Sequence, residues 1–362
     1  MENSRGNASN QIRRLLIVRL GSMGDILHAL PAVAAMRQAL PEAFIGWVVE
    51  ERWAELLCTL AEPRSGPRSP HRPLVDQVHT VDTRKWRTEL FSPQTWERVA
   101  ANLSELRAPH YEIAVDLQGA VRSAFLAHLS KAQRIYGARQ PWESVASMFY
   151  TRQVMTRGKH VLEQNLSIAE AVTRISHKIP ASPLPCDERV ESRTDDWLRK
   201  EGIGEFVLMN PGAGWGAKQW PPECYGAVAA ALTAEGLRVL VNFGPGEQAL
   251  AQAVERASED KAVAVGSTLT ELISLTRRAR LFVGGDTGPM HLAAALQIPL
   301  VAIFGPTNPE RNGPFGTASI VLRNPLSSTS HARRTEPDPG LLAIGVEQVI
   351  AAARDLLRRP RG

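Results

Sequence analysis

The 362-residue chain is poor in cysteine: Cys58, Cys186 and Cys224 are its only three, and no two are spaced Cys-x-x-Cys. That count argues against a disulfide framework and against a thiolate zinc site. Long apolar runs are also missing. The longest apolar stretch, His291 to Gly305, is interrupted by Gln297 and Pro299, short of the ~20 residues that span a bilayer. The start, Met1 to Arg14, is polar and carries no apolar signal-peptide core, so a reduced, cytoplasmic setting is expected.

No Asp-x-Asp occurs, and the nine histidines include no His-x-x-x-His pair. A metal clamp on a nucleotide diphosphate has no evident ligands, so metal-free chemistry is expected, with a lysine and a helix end as the neutralising groups. Charge of either sign is not in large excess. Lys plus Arg number 42 against 37 Asp plus Glu, a net of +5, which suits phosphates, acidic sugars, a membrane surface or nucleic acid.

What is present is a repeated α/β pattern. The length favours two domains. Arg13 to Leu20 reads as a buried strand, followed by a Gly-Ser-Met-Gly turn, a helix to about Leu40 and a strand from Phe44 to Val49. Residues 62–73, rich in Pro, Arg and Ser, read as an exposed loop. Glu112 to Leu117 reads as a further strand. Three prolines between Ile179 and Pro185 cannot continue a helix, and the domain junction is placed there. The pattern then restarts, with strands at Phe206–Met209, Arg238–Phe243, Ala262–Val265, Leu281–Gly285 and Leu300–Phe304. Helices are expected at Pro222–Ala234, Gln248–Ala257, Leu269–Arg278 and Met290–Leu296, and a last amphipathic one from Leu341 to Arg358. Open parallel sheets bind ligands beyond the carboxyl ends of their strands, so the loops after strands are where chemistry is sought.

Three such loops stand out. In RLGSMGDILHALP, Gly21, Gly24 and Asp25 follow the first strand. Asp25 at the helix start is either an N-cap or a general base, and position alone does not separate the two. His28 is either a core histidine or a support for this loop, and Pro31 is expected to kink the helix. In GGDTGPMHLAAAL, Pro289 suits the first helical position. Thr287 and Gly288 would present donors to a phosphate at a helix N-terminus, with Asp286 as a plain cap being the alternative. In NPGAGWGAKQW, Gly212, Gly214 and Gly216 precede Lys218, which either neutralises a diphosphate or is a solvated surface lysine. No Gly-Lys-Ser/Thr follows, so this is not a Walker A loop.

Two other readings are weaker. Gly244-Pro245-Gly246-Glu247-Gln248-Ala249 matches the dinucleotide fingerprint formally, but proline occupies the tight turn and no acid ends the strand Ala262–Val265. The basic–aromatic clusters Arg84-Lys85-Trp86-Arg87 and Arg139 to Trp142 read as solvated loops or as sites for an acidic ligand. They lie in no recognised nucleic-acid fold, so nucleic acid is not expected as a partner.

Taken together and in order, RLGSMGDILHALPA, NPGAGWGAKQWPPECY and GGDTGPMHLAAA…FGPTNP resemble the ADP-heptose:lipopolysaccharide heptosyltransferases, the family-nine glycosyltransferases. WVVEERWAELL (Trp47 to Leu57) and DLQGAVRSA (Asp116 to Ala124) support the likeness, which spans Arg13 to Phe315. The Ser-Met-Gly-Asp-Ile-Leu-His run is most similar to heptosyltransferase I. The resemblance implies a GT-B fold: two Rossmann-like α/β/α domains facing each other across a cleft. It implies an acceptor domain over 1–180, a nucleotide-sugar domain over 181–340, and a terminal helix, 341–362, packing back on the first domain. It also implies inverting, metal-independent transfer from ADP-heptose to a Kdo residue of a Kdo-lipid A type acceptor, without a cofactor. Asp25 would be the base, and Lys218 would stabilise the departing ADP. Asp286, Thr287, Gly288, His291, Glu247 and Gly214 would hold the donor, with Glu247 on the ribose. Gly24, Arg84, Lys85, Arg87, Gln118 and Arg122 would hold the acceptor. Contact with the cytoplasmic face of the inner membrane would be peripheral. A family-nine enzyme for another acceptor, such as a second-heptose transferase, and a nucleotide-sugar epimerase on the same fold are the alternatives.

Overall fold

The computed structural model of the protein describes residues 12–89, 91–330, 332 and 334–360. The polar leader lies outside these residues as far as Gln11. The chain divides into two compact units, Met1–Pro185 and Cys186–Gly362, so the proline-rich junction ends at the boundary.

The first unit has strands β1 (Arg14–Val18), β2 (Phe44–Glu50), β3 (Gln77–Val81), β4 (Ile113–Asp116), β5 (Arg134–Ala138) and β6 (Arg152–Val154). Its helices are α1 (Met23–Ala39), α2 (Thr83–Thr88), α3 (Pro93–Arg107), α4 (Val121–Leu129) and α5 (Val161–Thr173). All strand pairs are parallel, in the order β3-β2-β1-β4-β5-β6. Helices cover both faces of such a sheet, which is why β1 and β4 read as continuous apolar runs rather than as alternating ones. Two strand glycines let tyrosines lie on the backbone. A Cβ at Gly46 would fall 1.9 Å from the Tyr111 hydroxyl, and one at Gly137 would fall 2.3 Å from the Tyr150 ring. Helix α1 runs through Pro31 without a break. The 62–73 loop is largely exposed, yet buried Arg72 pins it by donating to the carbonyls of Pro63, Pro67 and Val75.

The second unit has strands β7 (Phe206–Asn210), β8 (Arg238–Phe243), β9 (Val263–Gly266), β10 (Leu281–Gly285), β11 (Leu300–Phe304) and β12 (Ser319–Arg323). Helices α6 (Glu188–Lys200), α7 (Pro222–Ala234), α8 (Gln248–Ala257), α9 (Leu269–Arg278), α10 (Gly288–Ala295), α11 (Pro309–Asn312), α12 (Pro339–Leu342) and α13 (Val346–Arg358) complete it. The order β12-β11-β10-β7-β8-β9, again all parallel, repeats the first sheet's plan. Both sheets have the Rossmann order, with the order reversing between β1 and β4 and between β7 and β10. The expected terminal helix is two helices. The apolar face of α13 (Val349, Ile350, Ala353 and Leu356) is part of the second unit's core with Trp220 and Tyr225. Among the described residues, no helix is long and apolar enough to cross a membrane.

Candidate functional site

In the first unit the chain leaves β1 at Arg19 and enters α1 with Ser22 as N-cap. Asp25 is therefore the third helical residue, not the cap. Its Oδ2 accepts the Ser22 backbone N–H at 2.8 Å and the Ser22 hydroxyl at 3.0 Å, the back-reaching half of a capping box. Its Oδ1 meets the Arg19 guanidinium at 2.6 Å. The N-cap reading of Asp25 thus gives way to a capping-box role at the third helical position. The side chain is 40% exposed while Arg19 beside it is 6% exposed, so solvent reaches the carboxylate although both of its oxygens are engaged. Gly24 is buried in the first turn of α1, and His28 is buried with its ring centroid 5.1 Å from that of His160.

The loops after β1 and β4 are tied together. The Gln118 side-chain oxygen Oε1 accepts the Leu20 N–H at 2.9 Å, and Arg19 donates to the Leu117 backbone carbonyl. Beneath them lies Asp116, 1% exposed, which sequence reasoning passed over as part of a strand. Its oxygens accept from the N–H groups of Gln118 and Gly119 and from the hydroxyls of Ser123 and Tyr150, at 2.7–3.2 Å. Burial nevertheless pushes its carboxyl above the ordinary range, outweighing those four bonds. An acid closing an otherwise apolar run was the available signal. Arg122 is exposed in the first turn of α4.

Arg84, Lys85 and Arg87 are exposed on α2, which follows the edge strand β3, two strands removed from β1. Asp82 caps this helix and pairs with Lys85 at 3.3 Å. Lys85 lines a cavity of about 220 Å³ with Glu51, Asp82, Trp86, Glu89 and Arg98. These three basic residues follow the edge strand β3, whereas Asp25 follows the central strand β1.

In the second unit the loops after β7 and β10 converge. Lys218 ends a 3₁₀ turn, Gly216–Lys218, whose close packing against residues 334–338 needs glycine. A Cβ at Gly216 would fall 1.7 Å from the Thr335 carbonyl oxygen. The Lys218 ammonium donates to Asp286 Oδ2 at 2.5 Å and to the Asp286 carbonyl at 3.2 Å, and lies 4.4 Å from the Trp215 ring centroid. His291 Nε2 is 3.2 Å from the other oxygen, Oδ1. Burial alone would raise the Asp286 carboxyl, but the hydrogen bond with His291 and the charge of Lys218 outweigh it and hold it well below the usual range. Lys218 is thus a largely buried, paired lysine, with 11% of its side chain exposed.

Helix α10 begins at Gly288 with Thr287 as its N-cap. Asp286 is not the cap, and Pro289 is the second helical residue. The Glu247 carboxylate accepts the Gly244 N–H at 3.2 Å and packs on the β7 loop, where a Cβ at Gly212 would fall 2.2 Å from its Oε1. Gly214 is exposed, with nothing near where a side chain would sit. Lys218, Asp286, Thr287, Gly288 and His291 are therefore gathered on the two loops flanking the second sheet's switch point, with Glu247 one strand along.

Residues 99–341, more than half of the chain, match the family described as glycosyltransferase family 9 (heptosyltransferase). A lipopolysaccharide heptosyltransferase 1 of Pseudomonas aeruginosa is 29% identical, covering 94% of each chain. One from Escherichia coli K12 is also 29% identical, over 86% of this chain and 94% of its own. Among solved structures, E. coli heptosyltransferase WaaC with ADP-2-deoxy-2-fluoro heptose superposes with a TM-score of 0.73 at 26% identity, covering 94% of this chain and 99% of its own. The chain belongs to glycosyltransferase family 9, the heptosyltransferase family, and is a glycosyltransferase with the GT-B fold.

Proposed function

We propose that this enzyme moves L-glycero-D-manno-heptose from ADP-heptose to a Kdo residue of the lipopolysaccharide inner core, inverting the anomeric centre in one metal-independent displacement. The observation that carries the donor half is the buried Lys218–Asp286–His291 constellation beside the start of α10. It is supported by a family of heptosyltransferases and by relatives named heptosyltransferase 1.

In this reading Lys218 spends two of its three donors on Asp286 and directs the third at the diphosphate. The pair is neutral overall, so the leaving group's charge is met jointly by that N–H and by the N-terminus of α10. Pro289 brings no N–H to that turn, which leaves those of Gly288 and Met290 in its first three positions. Asp286, locked between Lys218 and His291, presents a fixed carboxylate edge to the sugar. Glu247, beside the β7 loop, takes the ribose. In the first unit Asp25 removes the proton from the attacking hydroxyl, and Arg84, Lys85, Arg87, Gln118 and Arg122 receive the acceptor's anionic groups. The enzyme works in the cytoplasm, at the inner face of the membrane that holds such an acceptor.

The test is incubation with ADP-heptose, with and without Kdo-bearing lipid A, reading ADP release and product mass. Acceptor-dependent ADP release with one heptose added to Kdo is expected. Turnover only with an acceptor that already carries heptose would point to second-heptose transfer. ADP release indifferent to acceptor would point to the epimerase-like reading.

A further inference from the structure

The stretch from Gly119 to His160 of the first unit is unlike the rest of the chain in charge. It holds seven lysines and arginines against one glutamate, a net of six positive charges, whereas the whole chain nets +5. The same stretch exposes large apolar side chains: Met148 is 82% exposed, Met155 63%, Trp142 62%, Val145 53% and Phe125 47%. Single exposed apolar residues need no explanation, but a group of them within a basic surround marks an interaction surface.

These residues are gathered by packing. The 3₁₀ turn Ser144–Phe149 lies on α4, with the Phe125 and Phe149 ring centroids 6.1 Å apart. Trp142 follows the loop after β4, because a Cβ at Gly119 would fall 3.0 Å from its backbone nitrogen. Edge strand β6 adjoins the turn through the Gln153 amide, which donates to the Ser147 carbonyl at 3.2 Å. The turn is anchored from below by buried Ala146 and by Tyr150, bonded to Asp116, so Val145 and Met148 are held outward. Glu143, the single acid, accepts the Val121 N–H at 2.7 Å at the start of α4. Arg157 is paired with Glu170. Arg122, Arg139 and Arg152 are exposed in the same stretch.

We infer that this face, the 3₁₀ turn with α4 and β6, is the protein's docking surface for an anionic phospholipid bilayer. Outward Met, Val and Trp enter the interfacial layer while arginines meet lipid phosphates, the combination that holds a protein on a membrane without spanning it. The surface adjoins the Gln118–Gly119 loop, so docking would bring a lipid-linked acceptor to the loop tied to Leu20. That last step rests on the proposed function; the bilayer contact does not.

The test is flotation of the full chain with vesicles of phosphatidylglycerol and phosphatidylethanolamine, against vesicles of phosphatidylcholine alone. Binding to the anionic vesicles is expected, weakening as salt rises from 50 to 500 mM. Val145→Asp with Met148→Asp should lower partitioning by about tenfold or more, and Arg139→Glu with Arg152→Glu by at least roughly fivefold per residue. Leu326→Asp, an exposed apolar residue of the second unit, should leave it unchanged, and circular dichroism confirms folding of each variant. Wild type that ignores anionic vesicles, or a Val145/Met148 variant that binds like wild type, overturns the inference. So does a concentration-dependent dimer, abolished by that variant, in a protein that does not float. Vesicle binding without heptose transfer would instead count against the proposed function alone.

Discussion

Replacing Asp286 by alanine should destabilise the second unit far more than an average substitution. The carboxylate is 4% exposed and is paired with an ammonium that is itself 11% exposed, at 2.5 Å, and with the His291 ring at 3.2 Å. Removing one member of a buried pair strands the other charge in a poorly solvated place, at a cost of about 3–5 kcal/mol. For a unit of this size each kcal/mol moves the midpoint by about 2–4 °C, so a fall of roughly 6–20 °C is expected. Calorimetry would measure it, with hydrogen exchange in β10 assigning the transition to the second unit. Asp286→Leu combined with Lys218→Met removes both charges and should recover most of the loss, because the solvation cost disappears with the attraction. The pH dependence has a definite sign. The folded carboxyl lies below its unfolded value, so its contribution is complete above about pH 4 and fades as pH falls below that. The gap between wild type and the alanine variant should therefore narrow in acid. A midpoint shift under about 3 °C for the alanine variant, or a double variant no better than the single one, would refute this account of the pair.

Other expectations are more local. Asp25→Ala should fold and lose roughly 10²–10⁴ in kcat; near-normal turnover in a coupled ADP-release assay removes it as the base. Lys218→Ala is expected to weaken use of ADP-heptose while leaving acceptor affinity intact, and unchanged donor kinetics would end its assignment. Burial raises the folded Asp116 carboxyl, so the protonated form is favoured below about pH 4 and that contribution is lost as pH rises through the folded value. The midpoint of Asp116→Asn relative to wild type should accordingly improve as pH rises above about 4, and a trend of the opposite sign would contradict the placement. Glu191 accepts from Ser274, Arg277 and Arg278 across α6 and α9. Glu191→Ala should cost about 3 kcal/mol in denaturant unfolding, and a loss below ~1 kcal/mol would mean the cluster is effectively solvated.

The central strands were legible because a strand covered on both faces is a continuous apolar run: β8, β10 and β11 have the bounds read from sequence. The edges were not. Strand β6 has three residues, two of them exposed, and β12 is half-buried apart from exposed Val321, so neither carries the run or the alternation that marks a strand. Strand β3 was hidden behind the 62–73 loop, whose buried Arg72 has no signature that separates it from a surface arginine. Sequence placed Asp25 and Asp286 at helix starts but made both candidate caps. It could not show that Ser22 and Thr287 hold those positions, because capping depends on where the chain leaves the helical conformation. The partners of Asp286 lie 68 residues upstream and 5 downstream, and only the folded sheet joins them.

Strand order adds what neither motif nor burial supplies. Both sheets reverse direction of succession beside their first strand, and each of the two assigned aspartates emerges at that reversal, where open α/β sheets admit ligands. Their surroundings then separate their roles. Asp286, almost wholly buried and committed to two cationic or protonatable partners, cannot accept a proton without breaking them, so it is suited to fixed electrostatic positioning. Asp25 keeps 40% of its side chain in solvent, with Oδ1 on the Arg19 guanidinium and Oδ2 on Ser22 at the mouth of α1. Of the two, it is the one that solvent reaches, which suits it to the base role proposed for it. If the assignment were reversed, Asp286→Asn would abolish the acidic limb of the pH–rate profile and Asp25→Asn would leave it in place; the geometry requires the opposite.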